Sequence, residues 1–213
     1  MLIESPPQLY RCIFRGAHWR LNTTGKVIYL TFDDGPIPQI TPWVLDLLDR
    51  YGIKATFFCI GDNVRKYPAI YHEIIMRGHG VGNHTYHHLQ GLKVATETYL
   101  QDVEMAARLI DSTLFRPPHG HIRLPQFYAL RRKYQMVLWD VVTRDYSYLR
   151  TAHDVINNVK QYTRSGSIIV FHDSVKAGQR MQQSLPHAID WLLEQGYTFG
   201  LVGDALNNDN VIG

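Results

Sequence analysis

Between residues 27 and 201 the chain repeats one pattern. A short, almost wholly apolar run is followed by a longer segment whose apolar positions recur at three- and four-residue spacing. The runs at 27–32, 55–60, 80–83, 114–116, 136–141, 167–172 and 197–201 read as seven strands. The segments between them read as six helices, the first beginning at Thr41 and the rest covering 67–77, 95–111, 124–133, 152–163 and 182–195. In the first, Thr41 is the expected N-cap with Pro42 at N1. Val44, Leu45, Leu47 and Leu48 form its inward face, and Gly52 stops it. Strands apolar along most of their length are buried on both faces, and strands linked through helices run parallel by right-handed crossovers. The fold class is therefore α/β, either a doubly wound open sheet or a barrel. Residues 1–26 stand outside the repeat and read as an N-terminal extension packing on a single domain over 27–213.

Reactive side chains fall at one end of these runs. Asp33 and Asp34 end the first strand, Asn83 and His84 the third, Arg116 the fourth and His172 the sixth, while Asp145 follows the fifth. In a parallel α/β fold all carboxyl ends open on one face, and convergence from five strands is easier around a barrel than across a sheet with one crevice. An irregular (β/α)7-8 barrel is the expected architecture. Asp-Gly-Pro is also a common turn, and one Asp there could simply cap backbone N–H groups. Two adjacent carboxylates oppose each other's ionisation and call for a nearby cation. The segment GNHTYHHL holds His84 and His88 four residues apart, able to share one ion if it forms a single helical turn, with His87 pointing elsewhere. Two imidazoles and one Asp leave open coordination positions and suit one divalent metal, zinc first, with Co, Ni, Mn or Fe also fitting.

Composition narrows the classes without choosing among them. A formal charge of +3 over 213 residues, with Lys and Arg scattered, lacks the electrostatic footprint of a nucleic-acid binder. The cysteines, Cys12 and Cys59, make neither a disulfide framework nor a zinc cluster, and Cys59 within an apolar run reads as a buried free thiol. No segment approaches the length of a membrane span, and the first twenty residues contain no uninterrupted apolar stretch of signal-peptide type, so a cytoplasmic location is expected. The sequence carries no signal for an oligomeric state.

The segments TFDDGP, HTYHH, RPPHG, RDY and IIVFHD, in that order and at these strand ends, resemble the five motifs of the polysaccharide deacetylase family (NodB-homology domain, carbohydrate esterase family 4). The resemblance runs from about Lys26 to about Leu201 and implies metal-dependent hydrolysis of N-acetyl groups on amino sugars of a glycan, such as chitooligosaccharide or peptidoglycan. It implies Asp34, His84 and His88 as metal ligands, Asp33 as catalytic base and Arg116 as the partner that orients it. It further implies His172 as general acid, Asp145 as the carboxylate behind it, and the His119 backbone N–H as oxyanion donor. Three positions depart from the usual motifs. His119 replaces a Tyr, Val142 and Tyr146 replace an Asp and a Trp around Asp145, and Val170 replaces a Leu of the acetate-methyl pocket. The expected substrate fit is therefore altered more than the chemistry.

Three other readings compete. A sister hydrolase could cleave a cyclic amide or ureide on the same scaffold, an Fe(II) oxygenase could use two His and one carboxylate, and a catalytically idle module could bind glycan. The oxygenase leaves Asp33, Arg116 and His172 without a role, and the idle module does not account for a full set of base, acid and ligands. Trp43, Trp139 and Trp191 read as core residues.

Overall fold

In the computed structural model, which describes residues 5–209, the repeat folds into a curled parallel sheet wrapped by helices. The strands are β1 (Ala17–His18), β2 (Val27–Asp33), β3 (Thr56–Cys59), β4 (Gly80–Asn83), β5 (Leu114–Phe115), β6 (Gln135–Val137), β7 (Val141–Val142), β8 (Ile168–His172) and β9 (Thr198–Phe199). The helices are α1 (Gln8–Ile13), α2 (Thr41–Tyr51), α3 (Gly61–Lys66), α4 (Pro68–Met76), α5 (Thr96–Ala107), α6 (Leu124–Leu130), α7 (Ala152–Tyr162), α8 (Val175–Glu194) and α9 (Val202–Asp209). Residues 1–4 and 210–213 of the expected extension and domain lie outside the described residues.

The sheet order is β1-β6-β5-β4-β3-β2-β8-β7, with β9 pairing the start of β2, and each of these pairings is parallel. β6 and β7 are consecutive in sequence yet lie near opposite ends of this order. The run 136–141, expected as one strand, is thus two: β6 pairs with β1 and β5, β7 with β8, and residues 138–140 span the gap. The reason is visible at Asp140. Its fully buried carboxylate accepts from Arg11, Arg164 and Ser167, contacts a regular ladder position would not supply. The expected barrel is thus a curled half-barrel: β1 and β7 end the sheet without pairing with each other, and an isolated antiparallel bridge between Arg20 and Ser167 spans that side.

Alternation along the strands separates two cores. From β2 and β8, Leu30, Phe32, Ile169 and Phe171 pack outward against Leu45 and Leu48 of α2 and Leu185 and Ile189 of α8. Tyr29 and Ile168 face inward with Phe58, Leu114 and Val137, and Val202 and Leu206 of α9 plug this interior. Residues 5–26 join this architecture directly: β1 adds an edge to the sheet, and Trp19, at 6% exposure, packs with Phe14 among Phe115, Phe127 and Met136. Trp43, Trp139 and Trp191 are partly buried against the same cores.

Helix boundaries differ from expectation for local reasons. The segment expected as helix 67–77 forms α4, and α3 precedes it; the two are divided at Tyr67, whose φ of −129° and ψ of 54° precede Pro68. α5 is shorter than 95–111. α8 begins at Val175 rather than 182 and carries Pro186 internally. Thr41 is the first residue of α2, with Ile40 at the N-cap, because its hydroxyl is committed to the Ile37 N–H and the Asp173 carboxylate.

Candidate active site at the carboxyl ends of the strands

β2 ends with Asp33 on the inward face, two residues beyond Thr31. In a regular strand the next residue would point outward. Asp34 instead adopts a left-handed backbone, φ 86°, which carries its carboxylate to the same opening. Its main chain is held on three sides: Asn63 donates to the Asp34 carbonyl (2.8 Å), Asp173 accepts from the Gly35 N–H (3.0 Å), and the Ile60 N–H donates to the Gly35 carbonyl (3.0 Å).

The two imidazoles expected on a helical turn lie instead on an irregular loop after β4, with Thr85 (φ 63°) and His88 (φ 58°) left-handed. Side chains replace the helical hydrogen bonds. The Asn83 side chain accepts from the Thr85 N–H, and Asp102 of α5 accepts from the N–H groups of Tyr86 and His87 (2.9 Å each). Asp102 also takes the His87 ring, which fixes that side chain away from the site.

His84 and His88 then face Asp34. Asp34 Oδ1 lies 3.2 Å from His88 Nε2 and 3.8 Å from His84 Nε2, and the ring centroids are 5.1 Å apart. These three groups form a cluster able to hold a metal ion. Their chemistry fits one. The Arg116 carbonyl, 2.8 Å from His84 Nδ1, can only accept, so Nδ1 carries the hydrogen and Nε2 keeps a free lone pair toward Asp34. Burial pushes the His84 imidazolium pKa down to about 4, against the pull of Asp33, which keeps the ring neutral as a ligand requires. Burial would raise the Asp34 pKa, but the His88 hydrogen bond and the imidazoles of His172, His88 and His84 outweigh it and hold the carboxyl well below its ordinary range.

Arg116 serves both sides of the opening. Its fully buried guanidinium donates to Asp33 Oδ1 (2.6 Å), Thr31 Oγ1 (2.8 Å) and the Leu138 carbonyl (3.0 Å), and lies 4.0 Å over the Phe58 ring. Across the opening, the Asp145 carboxylate accepts from His172 twice, at Nδ1 (2.8 Å) and the backbone N–H (2.7 Å). Burial alone would lower the His172 pKa. Asp145 first, then Asp34 and Asp33, raise it to about 9.

Tyr146 meets the His172 ring edge to face at 4.7 Å, and Lys176 Nζ lies 5.7 Å from the Tyr146 ring centroid. The His119 ring is 4.8 Å from that of His88, and its backbone is left-handed at φ 58°. Val170 is buried on β8 two residues before His172, on the same inward face. Of the ten site residues expected from sequence, nine lie at the carboxyl ends of the strands or in the loops that follow them, and Val170 lies in the middle of β8. Sequence reasoning missed Asp102, Asn63 and Asp173, which touch the backbone that carries the site rather than the opening itself. Only Asp173, directly after His172, had a positional signal.

A cleft of about 640 Å³ lies at the other end of the strands, lined by Tyr71, His79, Gly80, Asp111 and Leu201, and holds none of these groups.

The family model described as polysaccharide deacetylase matches residues 20–136. A peptidoglycan-N-acetylglucosamine deacetylase of Bacillus cereus is 34% identical over 88% of this chain and 92% of its own length. A chitooligosaccharide deacetylase of Azorhizobium caulinodans is 33% identical over 72% of this chain and 77% of its own. The crystal structure of the Bc1960 peptidoglycan N-acetylglucosamine deacetylase superposes with a TM-score of 0.82 at 30% identity, covering 94% of this chain and 96% of that one. Against some longer relatives the chain spans only 41% of their length.

Proposed function

This chain belongs to the polysaccharide deacetylase family, and from that premise we propose that it removes acetyl groups from N-acetylated amino sugars of a peptidoglycan- or chitooligosaccharide-like glycan. The observation that carries this reading is the opposition, across one opening, of a carboxylate–bis-imidazole cluster and a carboxylate-backed histidine, with an Arg-held carboxylate beside them.

In this reading Asp34, His84 and His88 hold one divalent ion, zinc being the best match to two nitrogens and a carboxylate. Such an ion, when bound, polarises an acetamide carbonyl and makes a water acidic enough to attack near neutral pH. Asp33 accepts the proton of the attacking water, its carboxylate kept in place by Arg116. The water oxygen bonds to the carbonyl carbon, and the His119 backbone N–H donates to the developing oxyanion. His172, with Nδ1–H committed to Asp145, presents the proton on Nε2 to the departing nitrogen. The C–N bond breaks, giving acetate and a free amine. Tyr146 walls the sugar side, and Val170 lies toward the acetyl methyl.

The deciding experiment strips the purified protein with a chelator, restores Zn²⁺ or Co²⁺, and measures acetate release from N-acetylglucosamine oligomers and from peptidoglycan. Metal-dependent release supports the reading. No release from any N-acetylated glycan by the metal-restored protein would overturn it.

A further inference from the structure

Asp173 is a carboxyl with no exposed surface, beside the opening but outside the proposed chemistry. Burying such a group is costly unless its oxygens are fully used. One oxygen accepts from the Gly35 N–H at 3.0 Å and the other from the Thr41 hydroxyl at 2.6 Å, and that hydroxyl in turn accepts from the Ile37 N–H at 2.7 Å. The Asp173 backbone N–H donates to the Asp33 carbonyl at 3.1 Å. The approach is close enough to require glycine at 35, where an added Cβ would fall 1.9 Å from the Asp173 carboxylate. Asp173 thus grips both ends of the segment 33–41, and Asn63 holds the Asp34 carbonyl between them.

We propose that Asp173 and Asn63 are positioning residues that hold Asp34 in its left-handed conformation, and that without them the Asp34 carboxylate does not meet His84 and His88. A left-handed non-glycine residue is strained and persists only where its surroundings over-determine it. Here the surroundings are two side chains and the Ile60 N–H, all directed at the backbone of residues 34 and 35. The inference rests on the reading of Asp34 as a metal ligand.

The test is metal affinity rather than turnover. The apoprotein, Asp173→Ala, Asp173→Asn, Asn63→Ala and Asp34→Ala are titrated with Co²⁺ by absorbance and with Zn²⁺ against a chromophoric chelator, with melting temperatures measured in parallel. Asp173→Ala and Asn63→Ala should each bind about 10- to 100-fold more weakly, as other residues behind metal ligands do. Asp173→Asn, which keeps an acceptor for the Gly35 N–H, should lie closer to the unsubstituted protein. A destabilised control at the far end of the strands separates positioning from general loosening. Gly166→Ala would place a Cβ 2.0 Å from the Leu21 carbonyl at a φ of +82° and should melt lower yet bind metal normally. Asn63 is half-buried on the short helix α3, so its variant remains informative if Asp173→Ala does not fold.

Asn63→Ala, and Asp173→Ala where it folds, binding within twofold of the unsubstituted protein would overturn the inference while leaving the metal site intact. Tight binding that survives Asp34→Ala would overturn the metal-ligand reading itself, and the inference with it.

Discussion

Asp145 grips His172 at two points, one oxygen on the ring Nδ1 and the other on the backbone N–H of the same residue. The double contact fixes both the tautomer and the direction of Nε2, and the Asp145 charge and ring hydrogen bond, with Asp34 and Asp33, outweigh burial and raise the His172 pKa to about 9. Because the folded value exceeds the ordinary 6.5, the pair's contribution to stability is complete below about pH 6.5 and is lost as pH rises through about 9. As an acid, His172 should give a basic limb of activity, placed above pH 6.5 because Asp145 stabilises the imidazolium. Asp145→Asn should move that limb to lower pH and cut kcat about 10²- to 10⁴-fold. The pH profile of kcat on an N-acetylglucosamine oligomer reads both effects.

Metal removal should lower the melting temperature as well as activity. A ligand that binds only the folded state at a hundred times its Kd adds about 2.7 kcal/mol. The Zn²⁺-dependent rise in melting temperature should therefore vanish in His84→Ala. That ring is buried with its Nε2 3.8 Å from Asp34 Oδ1, so its loss removes one of the three ligands. Differential scanning calorimetry with and without chelator measures the difference.

Asp33 and Arg116 should separate chemistry from folding. Asp33→Asn keeps an oxygen for the guanidinium but cannot take a proton, so kcat should collapse while Co²⁺ affinity stays near that of the unsubstituted protein. Arg116→Met leaves a buried carboxylate without its partner and should cost about 3–5 kcal/mol of stability as well. Urea unfolding of the two variants, alongside acetate release, distinguishes them.

Acid stability should depend on a histidine far from the opening. Burial, assisted by Lys54, pushes the His79 pKa down to about 4, and its Nδ1 accepts from the Ala55 N–H at 3.3 Å. The unfolded chain binds this proton at higher pH than the folded one. The stabilisation is therefore complete above about pH 6.5 and lost as pH falls toward 4, a change of about 3 kcal/mol. His79→Leu should flatten that part of the stability curve, measured by urea unfolding across the interval.

Which features could be read from the sequence follows from where the information lies. Strand and helix alternation was legible because burial on both faces writes itself as apolar runs, and the catalytic end was legible because reactive types cluster where those runs stop. The split of 136–141 was hidden by the apolar residues Met136, Val137, Leu138 and Trp139. Its cause, Asp140, acts through Arg11, Arg164 and Ser167, the first of them 129 positions away. Spacing alone could not distinguish a helical turn from the loop that joins His84 and His88, since Asp102, which builds that loop, comes from the following helix. The left-handed turn at Asp34 was likewise set from Asn63 and Asp173, at the start of α3 and just beyond β8.

Arg116 makes two of these parts inseparable. Its carbonyl selects the tautomer of His84, while its guanidinium steadies Asp33. A shift of this one residue would disturb a metal-binding nitrogen and a proton acceptor together. Anyone seeking a new substrate range would gain little freedom there. The exposed stretch just beyond Asp145 and Tyr146, with Tyr148 and Leu149 at 82% and 72% exposure, offers more, because it can be rewritten without retuning that shared pivot.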